Sequence, residues 1–424
     1  MKFSTSHFLA LAVAALIASV ATSCTDPDAK SPTAAASSDK MRMEALRRAA
    51  LANGAARAAD LIIPTQPARV EVGRLIFESP KMSLNGAISC RDCHLDEFGS
   101  SDGLPNAVGV GGEGKGPERL DSDGRILPRN VLPFWGRGGR GFDTFFWDGR
   151  VRKGPDGIVS QFGVEAPSTD PLIVAAHLPS VELREMVEDT PRIRDAFVAE
   201  EVSDANNIQQ TLAQRFASDE QIGPRLAQVY GKAKSAVAFS EVADALSQFI
   251  RHEFRMRPTT FERFVFEEGP ITDAQLAGGI LFYGRGRCAS CHTGPYFTDF
   301  AFHSVAFPQA GFGKNGFGID EGRYNATLDP RDRFLFRTPP LHNVMRTAPY
   351  SHSGSVSTLD QAIIAHFDPL RLVDTRSMTV RERSDLYVRL GTASRETLPS
   401  ALTDREVGQL VAFLSMLEFE GAPQ

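Results

Sequence analysis

Cys90-Arg91-Asp92-Cys93-His94 and Cys288-Ala289-Ser290-Cys291-His292 are two copies of one pattern, C-x-x-C-H. Two thiols one helical turn apart suit addition to the two vinyl groups of a haem. The adjacent His then lies under the iron as its proximal ligand. A single copy is also compatible with a zinc half-site or a redox dithiol. Here both copies carry the His, and together they use four of the five Cys. Zinc needs four converging ligands, and a thioredoxin-like dithiol needs a parallel βαβ setting that this chain lacks. The reading is two covalent c-type haems.

Outward from the motifs, a repeat appears. Gly73-Arg74-Leu75-Ile76-Phe77 precedes the first and Gly278-Gly279-Ile280-Leu281-Phe282 precedes the second, so two related domains are expected. Val72, Leu75, Ile76 and Phe77 form a helical stripe. Helical periodicity returns between about 171 and 254, where Val242, Leu246, Phe249 and Ile250 share a face. Thr272 with Gln275, and Thr403 with Glu406, fit capping boxes. Gly99 to Gly141 is crowded with Gly, Pro and Asp and reads as irregular. The expectation is a mainly α protein of two cytochrome-c-like domains, each with one covalent c-type haem, with long irregular loops. Their spans are 61–256 and 257–424, since Arg255, Pro258 and Pro270 interrupt the helices between them.

At the other end, Lys2 and the apolar run Phe8–Ala21 read as a signal peptide over 1–23. Cys24 then either lies near an ordinary cleavage point or bears lipid as in a lipoprotein. Residues 24–60 are Ala-, Ser- and Asp-rich and read as a flexible tether. Export to the periplasm agrees with haem attachment outside the cytoplasm. The 424 residues carry a net charge of −6, which speaks against a nucleic-acid-binding surface. Five Cys in so long a chain exclude a disulfide scaffold.

Further stretches stand in a telling order. They are Leu84-Asn85-Gly86-Ala87-Ile88-Ser89-Cys90, Phe146-Trp147-Asp148-Gly149-Arg150, Gly294-Pro295-Tyr296-Phe297-Thr298-Asp299, and Phe336-Arg337-Thr338-Pro339 through Thr347-Ala348-Pro349-Tyr350. Over about residues 61–424 the chain resembles the di-haem bacterial cytochrome c peroxidase family, which includes the MauG-like tailoring oxidases. The resemblance implies a peroxidatic N-terminal haem and a six-coordinate, electron-transferring C-terminal haem.

Two departures concern the iron ligands. Family peroxidases usually place a second His soon after the first C-x-x-C-H, but no His lies between His94 and His177. The Gly-rich loop Gly109–Gly116 occupies that region. Unless His177 or a Met folds in, the first haem is expected to be five-coordinate or water-bound, and open to peroxide. At the second haem the family's distal ligand is Met in the peroxidases and Tyr in MauG. His366 stands at that offset here. Bis-His ligation implies a lower potential than His/Met. His303, His342 and His352 are nearby competitors better suited to hydrogen bonds or propionate contact, and His252 reads as a helix-surface residue.

The resemblance also assigns roles. The acid–base group is Glu185 of Glu185-Met186, with Gln161 as the intervening Gln and Glu165 in the same interval. Trp147 is the electron relay between haems, whereas Trp135 reads as structural. A Ca²⁺ between the domains takes the Asn130 side chain and the Thr347 and Pro349 carbonyls. The implied activity is reduction of hydrogen peroxide with electrons from a small cytochrome c or cupredoxin. The alternatives are a MauG-like oxidase modifying a residue of a partner protein, and a non-catalytic di-haem electron carrier. A homodimer and a lipid anchor through Cys24 both stay open.

Overall fold

Each C-x-x-C-H motif follows a helix, and each of those helices crosses another at a glycine. Pro67–Glu78 packs on Phe239–Glu253, and Asp273–Tyr283 packs on Asp404–Leu414. A Cβ added to Gly73 would lie 1.9 Å from the Ala245 carbonyl oxygen; one added to Gly278 would lie 1.8 Å from that of Gln409. Any side chain there would force the helices apart, because interiors have no slack to absorb it. The repeated glycine of the sequence is therefore a repeated helix crossing. Phe77 and Phe282, four residues on, are both buried beneath these crossings.

This is a computed structural model, and it describes residues 32–193, 202–314, 318–393 and 401–420. The expected signal peptide, residues 1–23, and Cys24 lie outside that range. Among the described residues the fold is helical, with five short strands. Thr144–Phe145, Val151–Gly154 and Gly157–Val159 form an antiparallel sheet, and Phe302–His303 pairs with Phe336–Arg337. Both expected capping boxes form. Thr272 Oγ1 accepts from Gln275 N at 3.3 Å and Gln275 Oε1 accepts from Thr272 N at 2.9 Å; Thr403 and Glu406 repeat the exchange at 3.3 and 3.0 Å.

Among the described residues from 43 onward, two large hydrophobic cores organise the fold. One gathers Ile76, Phe77, Leu212, Phe216, Val242, Phe249 and Phe254, and defines an N-terminal lobe. The other gathers Phe264, Leu276, Phe282, Leu410 and Phe413, and defines a C-terminal lobe. They interlock, because Tyr296 and Phe419 from the C-terminal half enter the first core. The Tyr296 hydroxyl donates to the Arg140 carbonyl at 2.9 Å.

The stretch expected to be a tether contains a helix, Pro32–Ala52. Its turns up to Arg42 form a separate unit, in which Arg42 pairs with Asp39 at 3.1 Å. From Met43 onward it belongs to the main body, with Leu46 and Ala50 buried in the second core. Alanine-rich sequence costs little to hold helical, and two apolar residues a turn apart give it a face to bury. No described helix is long and apolar enough to cross a membrane.

Candidate active site

Both motifs adopt the same local geometry. Cys90–Asp92 and Cys288–Ser290 are single 3₁₀ turns, and the His that follows each donates its backbone N–H to the first Cys carbonyl, at 3.0 Å for His94 and 2.8 Å for His292. Both thiols and the imidazole thus emerge from one turn. His94 Nδ1 bonds the Ser100 carbonyl at 2.8 Å, and His292 Nδ1 bonds that of Phe297 at 3.0 Å. A carbonyl only accepts, so Nδ1 carries the proton and Nε2 keeps the lone pair that a metal needs. Burial pushes His94 down to about 3 and His292 down to about 4, so both rings are neutral. The Phe134 ring stacks on that of His94 at 3.8 Å and fixes its plane.

His366 faces the second motif. It caps the helix Leu359–Ala365, and its Nδ1 bonds the Ala362 carbonyl at 2.8 Å, which again leaves Nε2 as the donor nitrogen. The His292 and His366 ring centres are 6.3 Å apart. Two metal–imidazole bonds of about 2 Å plus the ring radii span about that distance. The residues present therefore fit an iron held between the two rings.

Around the first motif the surroundings differ. Ile88, Val110 and Met186 pack together against Cys90. Val110 N donates to the Arg184 carbonyl at 2.9 Å, which lays the Gly-rich loop against the turn that carries Glu185. Arg119, 1 % exposed, organises the loop through Val108, Gly109 and Gly114 carbonyls at 2.9, 2.8 and 3.1 Å. Burial, reinforced by the charge of Glu182, lifts the Glu185 carboxyl to about 7, while Arg150 and Lys314 pull the other way. Glu185 also lies near enough to the Cys90 and Cys93 thiols to raise both. An open cavity of about 420 Å³, lined by Asn85, Asp92, Gly112, Glu113 and Lys115, adjoins the turn. Gln161 is exposed on the turn Ser160–Gly163, with no bond to Glu185 among the described residues. Glu165 is likewise exposed.

Trp147 spans the lobes. Its indole N–H donates to the Asn130 carbonyl at 3.0 Å, and its own carbonyl accepts from Arg337 N at 2.8 Å. Asn130 is buried, with Nδ2 2.6 Å from the Pro349 carbonyl and N 2.8 Å from that of His352. Its Oδ1 is buried with no hydrogen-bond donor among the described residues. An orphaned amide oxygen beside a carbonyl fits a hard cation.

A charge network that sequence reading missed surrounds this junction. Arg129 reaches Asp148 at 2.7 Å and Asp320 at 2.7 and 3.0 Å. Arg150 reaches Asp148 at 3.1 Å and Glu182 at 2.9 Å, and Lys314 stands 3.6 Å from Glu182. Arg150 and Asp148 could have been found within the Phe-Trp-Asp-Gly-Arg stretch. Lys314 carries no local signal, because it arrives from the other lobe.

The remaining histidines have other tasks. His177 bonds the Ile173 carbonyl at 2.8 Å and its ring packs against Phe162 and Phe239. His352 stacks on Phe336 at 4.0 Å and bonds Gln309 at 3.1 Å, while His342 stacks on Phe419. His303 bonds Asp299 at 2.7 Å, and Cys291, Asp299 and His303 could together hold a metal ion. Haem attachment would consume that Cys291 sulfur. Trp135 is buried, with its indole N–H on the Gly99 carbonyl at 2.8 Å, and His252 is exposed.

This fold and these paired motifs define a helical haem protein of the c type. Residues 67–269 match the family described as di-haem cytochrome c peroxidase. The methylamine utilization protein MauG of Methylorubrum extorquens is 27% identical over 368 residues, covering 85% of this chain and 80% of that protein. Cytochrome c551 peroxidase of Pseudomonas aeruginosa is 28% identical over 303 residues, covering 71% and 72%. The solved diheme peroxidase BthA of Burkholderia thailandensis shares the fold, with a TM-score of 0.63 at 18% identity over 87% of this chain and 90% of that one. Over residues 67–269 the chain thus carries the pattern of the di-haem cytochrome c peroxidases, and it is similar to these relatives over most of its length.

Proposed function

We propose that the chain is a periplasmic di-haem c-type peroxidase that reduces hydrogen peroxide at the N-terminal motif with electrons drawn through the C-terminal one. Cys90, Cys93 and His94 hold one haem; Cys288, Cys291, His292 and His366 hold the other. Bound there, haem iron supplies the redox chemistry that cleaves the peroxide bond. The observation that carries the reading is Glu185, a half-buried carboxyl lifted to about 7 beside the first attachment turn. A group poised there can take a proton from one peroxide oxygen and return it to the other, which leaves as water. Two electrons and two further protons complete the reduction to two waters.

Trp147 is placed to pass those electrons, since an indole can be oxidised and this one touches both lobes. Asn130 Oδ1 with the Thr347 and Pro349 carbonyls would hold a Ca²⁺ ion at the same junction. The electron donor in this reading is a small cytochrome c or cupredoxin. Processing of residues 1–23, and lipid on Cys24, would fix the protein's place in the periplasm.

His366 and the lack of a His between His94 and His177 favour a second reading, oxidation of a residue in a partner protein. One experiment separates the two. Peroxide is added to the oxidised protein, then either reduced cytochrome c or candidate protein partners. Catalytic oxidation of cytochrome c supports the peroxidase. Cytochrome c left reduced while a partner protein is modified would overturn it. Two haems inert to peroxide would overturn both.

A further inference from the structure

Arg137 and Arg337 are buried guanidinium groups, 8% and 2% exposed, and neither meets a carboxylate among the described residues. They come from different lobes and lie close enough for Arg337 to depress Arg137, which burial has already pushed down to about 9. Burial pushes Arg337 down to about 10, with Asp148 its nearest compensating charge. The Asp148 oxygens are already engaged by Arg129 and Arg150. Two like charges taken out of water are costly, and an anion beside them would offset that cost.

Arg119 shows how a buried arginine of purely architectural purpose is satisfied here, with all three guanidinium nitrogens on carbonyls. The other two differ. Arg137 donates Nε to Pro133 at 3.1 Å and Nη2 to Leu132 at 3.2 Å, leaving Nη1 over. Arg337 donates Nε to Phe146 at 3.0 Å and Nη1 to Thr338 at 3.3 Å, leaving Nη2 over. Their positions are also pointed. Arg137 lies over Phe134 at 4.5 Å, the ring stacked on His94, and its charge reaches that imidazole. Arg337 lies beside Phe146 and bonds the Trp147 carbonyl.

A haem carries two propionate carboxylates, and the motif beside this pair is built to hold a haem. We propose that Arg137 and Arg337 receive the propionate carboxylates of the haem attached at Cys90 and Cys93. Charge-assisted bonds from the spare Nη atoms would satisfy both partners at once. Arg337, bonded through its backbone to Trp147, would then hold the haem edge and the relay together. The inference rests on the proposed function, which supplies the haem.

Spectroelectrochemical titration of the full holoprotein tests it, with each haem followed separately and the attached haems counted as pyridine haemochromes. Arg137→Gln and Arg337→Gln should each lower the midpoint potential of the N-terminal haem, because a nearby cation disfavours its oxidised state. Each should also add a pH dependence near neutrality, as a carboxylate stripped of its cation titrates there. Arg137→Lys and Arg337→Lys, which keep the charge and the fold but lose the fork, should shift the potential less. An unchanged potential and pH slope in these variants, with two haems still attached, would overturn the inference and leave the proposed function standing. Wild-type protein without covalent haem would overturn both.

Discussion

His292 and His366 present their rings to one another at 6.3 Å with planes inclined by 62°, and each binds a backbone carbonyl through Nδ1. Two imidazoles with both Nε2 atoms free cannot bond each other, so the pair is arranged for something between them. Replacing His366 with Ala should convert the C-terminal haem from low to high spin and raise its potential, with the N-terminal haem unaltered. Electron paramagnetic resonance of the oxidised protein reads this directly. An unchanged spectrum would remove His366 from the ligand set.

Glu185 should set the pH dependence of the reaction with peroxide. Its carboxylate is the form that accepts the proton, so the rate should rise with pH through about 7. Glu185→Gln should cost about 10²- to 10⁴-fold at neutral pH, the usual worth of a placed acid–base group. Stopped-flow mixing with peroxide measures both effects.

The neighbours of Glu185 should move that profile in opposite directions. Glu182 raises it, so Glu182→Gln should shift the rise to lower pH; Arg150 and Lys314 lower it, so Lys314→Met should shift the rise to higher pH. Shifts of the same sign in both variants would contradict this electrostatic account. The raised carboxyl also has a cost. Stability should fall as pH climbs from the ordinary carboxylate range through about 7, a loss that Glu185→Gln abolishes in thermal melts.

Trp147→Phe keeps an aromatic ring of similar shape but removes both the indole N–H and the easily oxidised π-system. Turnover with reduced cytochrome c should fall while the resting spectra of both haems stay as they are. Trp147→Tyr, still oxidisable, should recover part of the loss.

Arg129 joins Asp148 of one lobe to Asp320 of the other, with both carboxylates almost wholly buried. Arg129→Met strands the Asp320 carboxylate, leaves Asp148 to Arg150, and should destabilise the fold by about 3–5 kcal/mol. Chemical denaturation of the holoprotein measures this.

How much of this could be read from the chain depends on the range of each interaction. The attachment turns, the glycine crossings at 73 and 278 and the capping boxes at Thr272 and Thr403 are local, and their spacing announced them. Glu185 and His366 came from order along the chain, guided by resemblance. Lys314 and Asp320 gave no such cue, because what makes them notable is a residue more than a hundred positions away. Gln161 stands exposed for the complementary reason. Its interval from Trp147 was plausible in sequence, yet a tight turn at Ser160–Gly163 points that stretch into solvent. The helix over Pro32–Ala52 was hidden by a composition that looked like a linker.

Trp147 is sewn to one lobe by its indole and to the other by its main-chain oxygen. As the relay proposed here, it cannot keep its place if the lobes slip, because either stitch must then give way. Mechanical register and electrical continuity are thereby one property. A mild denaturant that loosens the lobes should silence transfer between the centres before either centre loses its own spectrum.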